Sequence, residues 1–199
     1  MRLIVTAVPG SGKSTVLNFV KRKIPSVKIV SEGDIVFELA AKKFKIKNRD
    51  QLRKKLSIKQ QRILQAAAIR KIAAMKNKIL LIDSHLSIKT PQGYLPGLPE
   101  KAVHAINPDV IIILEFTPAD ILKRRKKDKN RKRDIETAKE INEHQKINHE
   151  FAIAAAANVQ ATVEIIQFTR KQIIPYSNAW FAARKIVKII KKMKNSDDI

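Results

Sequence analysis

The sequence contains no cysteine, only five glycines among 199 residues, and few aromatic or acidic residues. Without cysteine, a disulfide framework, a thiolate metal site and a cysteine nucleophile are all excluded. No apolar stretch reaches the roughly 18 residues that a membrane span needs, and the apolar run at the N-terminus is too short for a signal peptide. We therefore expect a cytoplasmic protein that does not enter a membrane.

Apolar residues, by contrast, are abundant, at 44% of the chain, and isoleucine alone contributes 29 residues. A chain of this length has the size of one domain and buries roughly 70% of its unfolded surface on folding. Intrinsic disorder is thereby excluded for most of the chain.

The chain is strongly basic, because it contains 41 lysines and arginines and only 18 acidic residues, which gives a net charge of +23. A polyanionic partner such as nucleic acid is one interpretation. The other is compositional, since lysine-rich surfaces are reported for proteins that work at high temperature. We prefer the compositional interpretation for most of the excess, and nucleic acid stays possible but not favoured.

Five short β-branched runs are bounded by turn signals and separated by helical patterns. Because these runs are apolar throughout rather than alternating, they are typical of parallel strands buried on both faces. The pattern predicts an α/β fold with three α/β/α layers and a five-stranded parallel sheet. The strands are expected at residues 3–6, 27–30, 79–82, 110–114 and 162–167, and the helices at 13–23, 34–44, 52–55, 57–76, 136–159 and 178–193.

The most specific motif follows the first strand and opens the first helix. Glycines there let backbone N–H groups approach phosphate oxygens, and the helix N-terminus adds partial positive charge. The motif predicts a phosphate-binding loop (P-loop), with Lys13 reaching the terminal phosphates and the Ser14 hydroxyl on Mg²⁺. The nucleotide-binding residues are Val8, Pro9, Gly10, Ser11, Gly12, Lys13, Ser14 and Thr15.

Ala7 departs from the usual G-x-x-x-x-G-K-[ST] pattern, which begins with glycine. If this position needs a left-handed backbone, alanine costs about 1–2 kcal/mol there.

Asp83 ends the apolar run at 79–82 and should lie at the carboxyl end of its strand, where open α/β sheets bind ligands. It is a candidate to hold Mg²⁺ through a water molecule, beside Ser14. A structural role as a turn or helix cap is the alternative.

A family resemblance becomes specific after Asp83. Asp83-Ser84-His85, Ile88-Lys89-Thr90-Pro91 and Gly93-Tyr94-Leu95-Pro96-Gly97-Leu98-Pro99 resemble the archaeal-type adenylate kinases. The P-loop, Gly33-Asp34 and Ile106-Asn107-Pro108 agree with that family, over about residues 1–160. The resemblance implies a P-loop phosphotransferase that transfers the ATP γ-phosphoryl group to AMP, with Mg²⁺, in a homotrimer. It also implies one domain over residues 1–199, with an acceptor-nucleotide insertion at 32–77 and a short lid at 126–136.

On the donor side, Arg131 and Arg133 resemble lid arginines that close over ATP, and Arg124 resembles an arginine lying on the donor adenine. With Lys13 they form the expected catalytic set, although each arginine has surface solubility as its alternative.

On the acceptor side, the candidates are Asp34, Arg53, Gln60 and Lys89. Lys89 stands where the family usually has arginine, and lysine lacks the bidentate fork of a guanidinium. Gln60 is equally explained as half of a capping box with Ser57, and Asp34 as a helix cap.

Two other functions fit parts of the sequence. One is a nucleotide-dependent RNA-binding or ribosome-assembly factor on the same fold, which the basic runs 42–62 and 123–133 would serve. The scarcity of aromatic residues in those runs counts against specific RNA recognition. The other is a kinase for a different small acceptor, such as cytidylate or shikimate.

Overall fold

The computed structural model describes residues 1–48, 50–90, 92–128 and 136–196, without the side chains of residues 50, 53, 54 and 196. The predicted lid arginines Arg131 and Arg133 and the side chain of Arg53 therefore lie outside the described part of the protein.

A five-stranded parallel sheet forms the centre of the fold, with strand order β2-β3-β1-β6-β7. The first strand, β1, is flanked by β3 and β6, so that Val5 lies opposite Asp83 on one side and Ile112 on the other. The five-stranded parallel sheet predicted from the apolar runs is confirmed. Its strands are β1 (Arg2–Thr6), β2 (Lys28–Ser31), β3 (Leu80–Asp83), β6 (Val110–Glu115) and β7 (Thr162–Gln167).

Helices cover both faces of this sheet, as the continuous apolar strands require. In the described residues they are α1 (Lys13–Lys23), α2 (Glu32–Phe44), α3 (Asp50–Lys55), α4 (Ile58–Ala73), α5 (Glu100–Ile106), α6 (Pro118–Lys127), α7 (Ala138–Val159) and α8 (Ser177–Ser196). None of them is long and apolar enough to cross a membrane.

Alternate side chains of each strand enter two separate cores, because successive residues point to opposite faces of a sheet. Leu3, Val5 and Ile112 pack against α1 and α8 on one face, whereas Ile4 and Ile111 pack against α4, α5 and α7 on the other. Alanines at Ala152, Ala155 and Ala156 bring α7 close to the sheet, the packing role expected for that alanine run.

The segment between β2 and β3 has a small core of its own, formed by Ala40, Ile46, Leu56 and Leu64. Two elements in the next segment were not predicted: α5, and the antiparallel hairpin of β4 (Ser87–Thr90) and β5 (Gly93–Pro96). The proline- and glycine-rich sequence there suggested a loop, but Thr90 hydroxyl donation to the Gly93 carbonyl closes a hairpin turn.

Helix starts follow the capping residues. Ser31 caps α2 by accepting a hydrogen bond from the Asp34 amide, so the helix begins at Glu32 instead of the expected residue 34. The side chains of Ser57 and Gln60 form the capping box predicted for α4. A second box, of Thr137 and Glu140, starts α7 two residues after the expected 136.

The packing of α8 on the sheet gives a stability prediction. Ile186 is fully buried in the core between α1 and α8, so Ile186→Ala should lower the free energy of unfolding by about 2–5 kcal/mol. The same substitution at Ile173, which is 93% exposed, should change it by less than about 0.5 kcal/mol. Chemical denaturation of both variants measures the difference, and equal losses would contradict this assignment of the core.

Candidate active site

The carboxyl ends of β1, β2, β3 and β6 meet at one edge of the sheet, and the loops that leave them carry most of the predicted site residues. This is the edge at which open parallel sheets bind ligands. It brings together the P-loop after β1, Glu32 after β2, Asp83 at the end of β3, and α6 after β6.

The P-loop has the backbone geometry that its glycines predict. Gly10 and Gly12 have φ angles of 84° and 94°, a left-handed conformation that residues with a Cβ rarely adopt. Ala7 does not have a positive φ angle, so the missing first glycine carries no strain. The buried Ser11 hydroxyl has no hydrogen-bond partner among the residues that the structure describes, which leaves a polar group available to a ligand in the loop.

Lys13 is only 6% exposed, and its ammonium group is held by two oxygens. Its Nζ atom lies 2.6 Å from an Asp83 carboxylate oxygen and donates to the Ser84 carbonyl oxygen at 2.5 Å. Burial lowers the pKa of Lys13, and the nearby Asp83 carboxylate opposes that shift. The predicted lysine and the predicted carboxylate are thus in direct contact.

Glu32 is a buried acid at this edge that the sequence analysis missed. Its carboxylate accepts a hydrogen bond of 2.5 Å from the Ser84 hydroxyl. Burial raises the pKa of Glu32 to about 7, against the opposing effects of that hydrogen bond and of Lys13. Its position as the first helical residue after β2, next to the predicted Gly33-Asp34 pair, was the available signal.

Arg124 lies directly against the P-loop. It donates to the Ser11 carbonyl oxygen at 2.6 Å and to the Gln172 side chain at 2.7 Å. Its guanidinium carbon lies 4.6 Å from the centre of the Phe116 ring, and its side chain covers the space beside Gly12. Burial lowers the pKa of Arg124. The expected donor-side position of this arginine is therefore consistent with its contacts, and Gln172 joins it unexpectedly.

Arg125, which the sequence analysis did not single out, joins the P-loop to the start of α7. It donates twice to the Pro9 carbonyl oxygen, at 3.0 and 2.7 Å, and pairs with the Glu136 carboxylate. Burial alone would raise the pKa of Glu136, but its hydrogen bonds to Arg125 and Lys89 outweigh burial and lower it.

Lys89, on β4, pairs with two acids at the start of α7. Its ammonium group lies 3.1 Å from both Glu136 and Glu140. The pKa of Glu140 is lowered to about 2. The main cause is the hydrogen bond that its carboxylate accepts from the Thr137 backbone, and the hydrogen bonds from Lys89 and the Thr137 hydroxyl add to it. Lys89 thus reaches the same acidic cluster as Arg125, and both of its carboxylate partners went unpredicted.

The other acceptor-side candidates lie in the 32–77 segment. Asp34 is in the first turn of α2, and Gln60 places its side-chain oxygen 2.8 Å from the Ser57 amide in the capping box. Arg53 is in α3. Their roles toward a nucleotide stay predictions.

Three of the histidines make the following contacts within the protein. His85 is hydrogen bonded to the Ala7 carbonyl oxygen at 2.9 Å and so braces the P-loop. His144 is buried, with Nε2 3.1 Å from the Ser87 hydroxyl and its ring 5.1 Å from that of Tyr94. His149 lies beside Glu115 at 3.3 Å.

Comparison with known proteins identifies the family to which this site belongs. A family model described as an AAA domain matches residues 6–142. The chain is 45% identical over 191 residues to an adenylate kinase from Pyrobaculum aerophilum, covering 96% of both proteins. It is 44% identical to an adenylate kinase from Thermoplasma acidophilum, covering 96% of this chain and 98% of that protein.

The chain belongs to the archaeal adenylate kinase family. It is therefore a phosphotransferase, a nucleoside-monophosphate kinase with a P-loop. The similarity to the Pyrobaculum protein extends well beyond residue 160, where the sequence analysis placed its end.

Two solved structures resemble this protein in fold, and at this low identity the resemblance concerns the fold only. Shikimate kinase from Acinetobacter baumannii in complex with shikimate superposes with a TM-score of 0.64 at 15% identity, covering 97% of this chain and 94% of that one. Shikimate kinase from Bacteroides thetaiotaomicron gives a TM-score of 0.57 at 15% identity, with coverage of 96% and 98%.

The oxygen ligands at the P-loop fit a magnesium ion that is bound together with a nucleotide. The Ser14 hydroxyl is exposed at the start of α1, and the Asp83 carboxylate is partly exposed beside Lys13. No group of three or more acidic, histidine or cysteine side chains in the described residues suits a metal ion. Mg²⁺ at kinase and ATPase sites is usually bound by one or two carboxylates together with substrate phosphates, and such a site needs no all-protein cage.

The raised pKa of Glu32 predicts a pH dependence of stability. Between pH 4.5 and 7 the unfolded chain loses the Glu32 proton while the folded chain keeps it, so folding stability falls as the pH rises. Glu32→Gln should remove this contribution, on the order of 1–3 kcal/mol. Denaturant titrations at pH 5 and pH 7.5 measure it: the variant should gain stability relative to wild type at the higher pH. If the difference in stability between the variant and the wild type is the same at pH 5 and at pH 7.5, the assignment is contradicted.

Proposed function

We propose that the protein catalyses the reversible transfer of the γ-phosphoryl group from Mg²⁺-bound ATP to AMP, giving two ADP. The observation that carries this proposal is the buried Lys13 ammonium group, held by Asp83 beside a P-loop whose Ser11 hydroxyl has no partner in the described part of the chain. Phosphoryl transfer needs cations around the transferring oxygens and little covalent help from the protein. A screen of AMP, CMP, UMP and GMP as acceptors, followed by ADP formation, tests the acceptor.

On the donor side, the backbone N–H groups around Gly10 to Ser14 hold the ATP phosphates. The Lys13 ammonium group moves from its contacts with the Asp83 carboxylate and the Ser84 carbonyl oxygen to the phosphate oxygens. Ser14 and, through water, Asp83 hold Mg²⁺, which neutralises charge that develops on the phosphates. Arg124 is supported as a donor-side residue by its bond to the Ser11 carbonyl and its stacking on Phe116. Arg131 and Arg133 supply further cations from the lid at 126–136.

On the acceptor side, the insertion at 32–77 binds AMP through Asp34, Arg53 and Gln60, and Lys89 binds the AMP phosphate. Lys89 is supported by its position on the β4–β5 hairpin, where it shares the Glu136 carboxylate with Arg125, which itself donates to the Pro9 carbonyl oxygen of the P-loop. Because Glu136 and Glu140 hold its ammonium group, AMP must compete with two carboxylates for this cation. An arginine here would offer a bidentate fork that lysine lacks.

A homotrimer and a cytoplasmic location complete the proposal. The homotrimer is carried over from the family resemblance, and the exposed Ile153 on α7 and Ile165 on the edge strand β7 are candidate positions for its interface. A solution mass of three 22.6 kDa chains tests the trimer. The absence of cysteine fits a reducing cytoplasm.

The role of Lys13 gives the first kinetic prediction. Lys13→Ala should reduce kcat about 10²- to 10³-fold, because it removes a cation from the transferring phosphates. Lys101→Ala, at an exposed lysine of α5, is the matched control and should leave kcat unchanged. A coupled assay of ADP formation measures both, and equal activity of the two variants would refute the proposed site.

The role of Lys89 gives a second prediction. Lys89→Ala should raise the KM for AMP about 10-fold, the lower end of the effect of a hydrogen bond to a charged group. The KM for ATP should stay as in wild type, because Lys89 is assigned to the acceptor phosphate. Initial rates with either nucleotide varied separate the two constants. A change confined to the KM for ATP would contradict this assignment and indicate that Lys89 acts on the donor nucleotide.

A further inference from the structure

A groove between α1 and α8 is formed by side chains that play no part in the proposed phosphoryl transfer. It has a volume of about 300 Å³ and is lined by Phe19, Arg22, Lys23, Trp180, Ala183 and Arg184. Each helix contributes positions i, i+3 and i+4, which lie on one helix face. Arg22 is nine residues beyond Lys13, about 14 Å along the helix axis at 1.5 Å per residue, so this groove is separate from the P-loop.

Each helix presents an aromatic ring with an arginine stacked over it. The Arg184 guanidinium carbon lies 4.7 Å from the centre of the Trp180 ring, and that of Arg22 lies 5.8 Å from the centre of the Phe19 ring. Trp180 is 39% exposed and has Phe181, itself half exposed, edge-on beside it. Flat apolar rings next to guanidinium groups can stack on a planar aromatic group while binding an anion.

The charge around the groove has one sign. The sequence of α1 contains four cations and that of α8 contains six, with no acid in either helix. Among the residues that the structure describes, Arg22, Lys23 and Arg184 form no ion pair with a carboxylate. These three cations therefore offer unneutralised charge to a ligand outside the chain.

We propose that the groove binds single-stranded nucleic acid, with a base stacked on Trp180 and the flanking phosphates paired with Arg22 and Arg184. In a single strand, planar bases alternate with negatively charged phosphates, and this alternation matches the rings and cations of the groove. Cations continue along α8 at Lys185 and Lys188, which favours a polyanion over a single nucleotide.

Two other occupants fit the surface less well. A lipid bilayer needs an available apolar helix face, but Ala182, Ile186 and Ile190 of α8 are buried against the sheet. The large apolar side chains that α8 exposes are those of Trp180 and Phe181, which are too few for such a face. A second copy of the chain docked through the same face would bring like charges together, since neither helix carries an acid.

Trp180 makes the test direct because it is the single tryptophan of the protein. An oligouridylate of about twenty nucleotides should quench the intrinsic fluorescence of the wild-type protein at low salt. The titration is run with saturating ADP and repeated on Lys13→Ala, so that quenching in both shows binding outside the P-loop. Quenching that ADP abolishes would overturn the proposal. This outcome is independent of the proposed kinase activity, which the ADP assay measures separately.

Variants then separate stacking from charge, with anisotropy of a labelled oligouridylate as the measurement. Trp180→Ala should weaken binding about 5- to 150-fold, whereas Trp180→Phe should largely retain it. The double variant Arg22→Ala and Arg184→Ala should make the slope of log affinity against log salt shallower by about 1.4. Equal affinity of the Trp180 variants would overturn the stacking assignment.

Matched controls remove effects of net charge and folding. Arg70→Ala combined with Arg170→Ala removes the same charge from exposed positions elsewhere and should leave the slope unchanged. All groove variants should form ADP at the wild-type rate. Tighter binding to phosphatidylserine vesicles than to the oligouridylate, or a changed solution mass in Trp180→Ala, would overturn the proposal in favour of a membrane or a second copy.

Discussion

The active site depends on one buried ion pair, between the Lys13 ammonium group and the Asp83 carboxylate. A lysine that is 6% exposed is stable only if oxygens replace its lost water, and Asp83 and the Ser84 carbonyl do so. The pairing register of β1 and β3 places these groups side by side, because Val5 lies opposite Asp83 where both strands end. Phosphate oxygens carry the same kind of charge as the carboxylate, so a nucleotide can replace Asp83 as the partner of Lys13 without leaving a buried charge unpaired.

Further contacts fix the P-loop around this pair from three directions. His85 bonds to the carbonyl oxygen of Ala7, Arg125 to that of Pro9, and Arg124 to that of Ser11. Each of these three alternate carbonyl oxygens is bound by a side chain from outside the loop, and within the loop the Ser11 amide donates to the Val8 carbonyl oxygen at 3.3 Å. The loop is thus organised before a nucleotide arrives, which lowers the conformational cost of binding.

The sequence was sufficient to predict the sheet and the position of Lys13 in a P-loop, and the reasons are local. Continuous apolar runs identify strands buried on both faces, and glycines followed by Lys13 and Ser14 identify the P-loop. Glu32, Arg125, Glu136 and Gln172 were missed because their importance comes from contacts across 11 to 116 positions of sequence. The β4–β5 hairpin was missed because its prolines and glycines also describe a loop, and only the pairing of Ile88 with Leu95 distinguishes the two.

The ion pair between Arg125 and Glu136 has a consequence for how the chain can vary in length. These residues are eleven positions apart and are fastened together beside Pro9, so the chain between them begins and ends at one place. In general, the entropic cost of joining two fixed points by a flexible segment grows only with the logarithm of its length, and doubling the length costs about 0.6 kcal/mol. Insertions between the two anchors that keep Arg131 and Arg133 should therefore cost less stability than a substitution at either anchor.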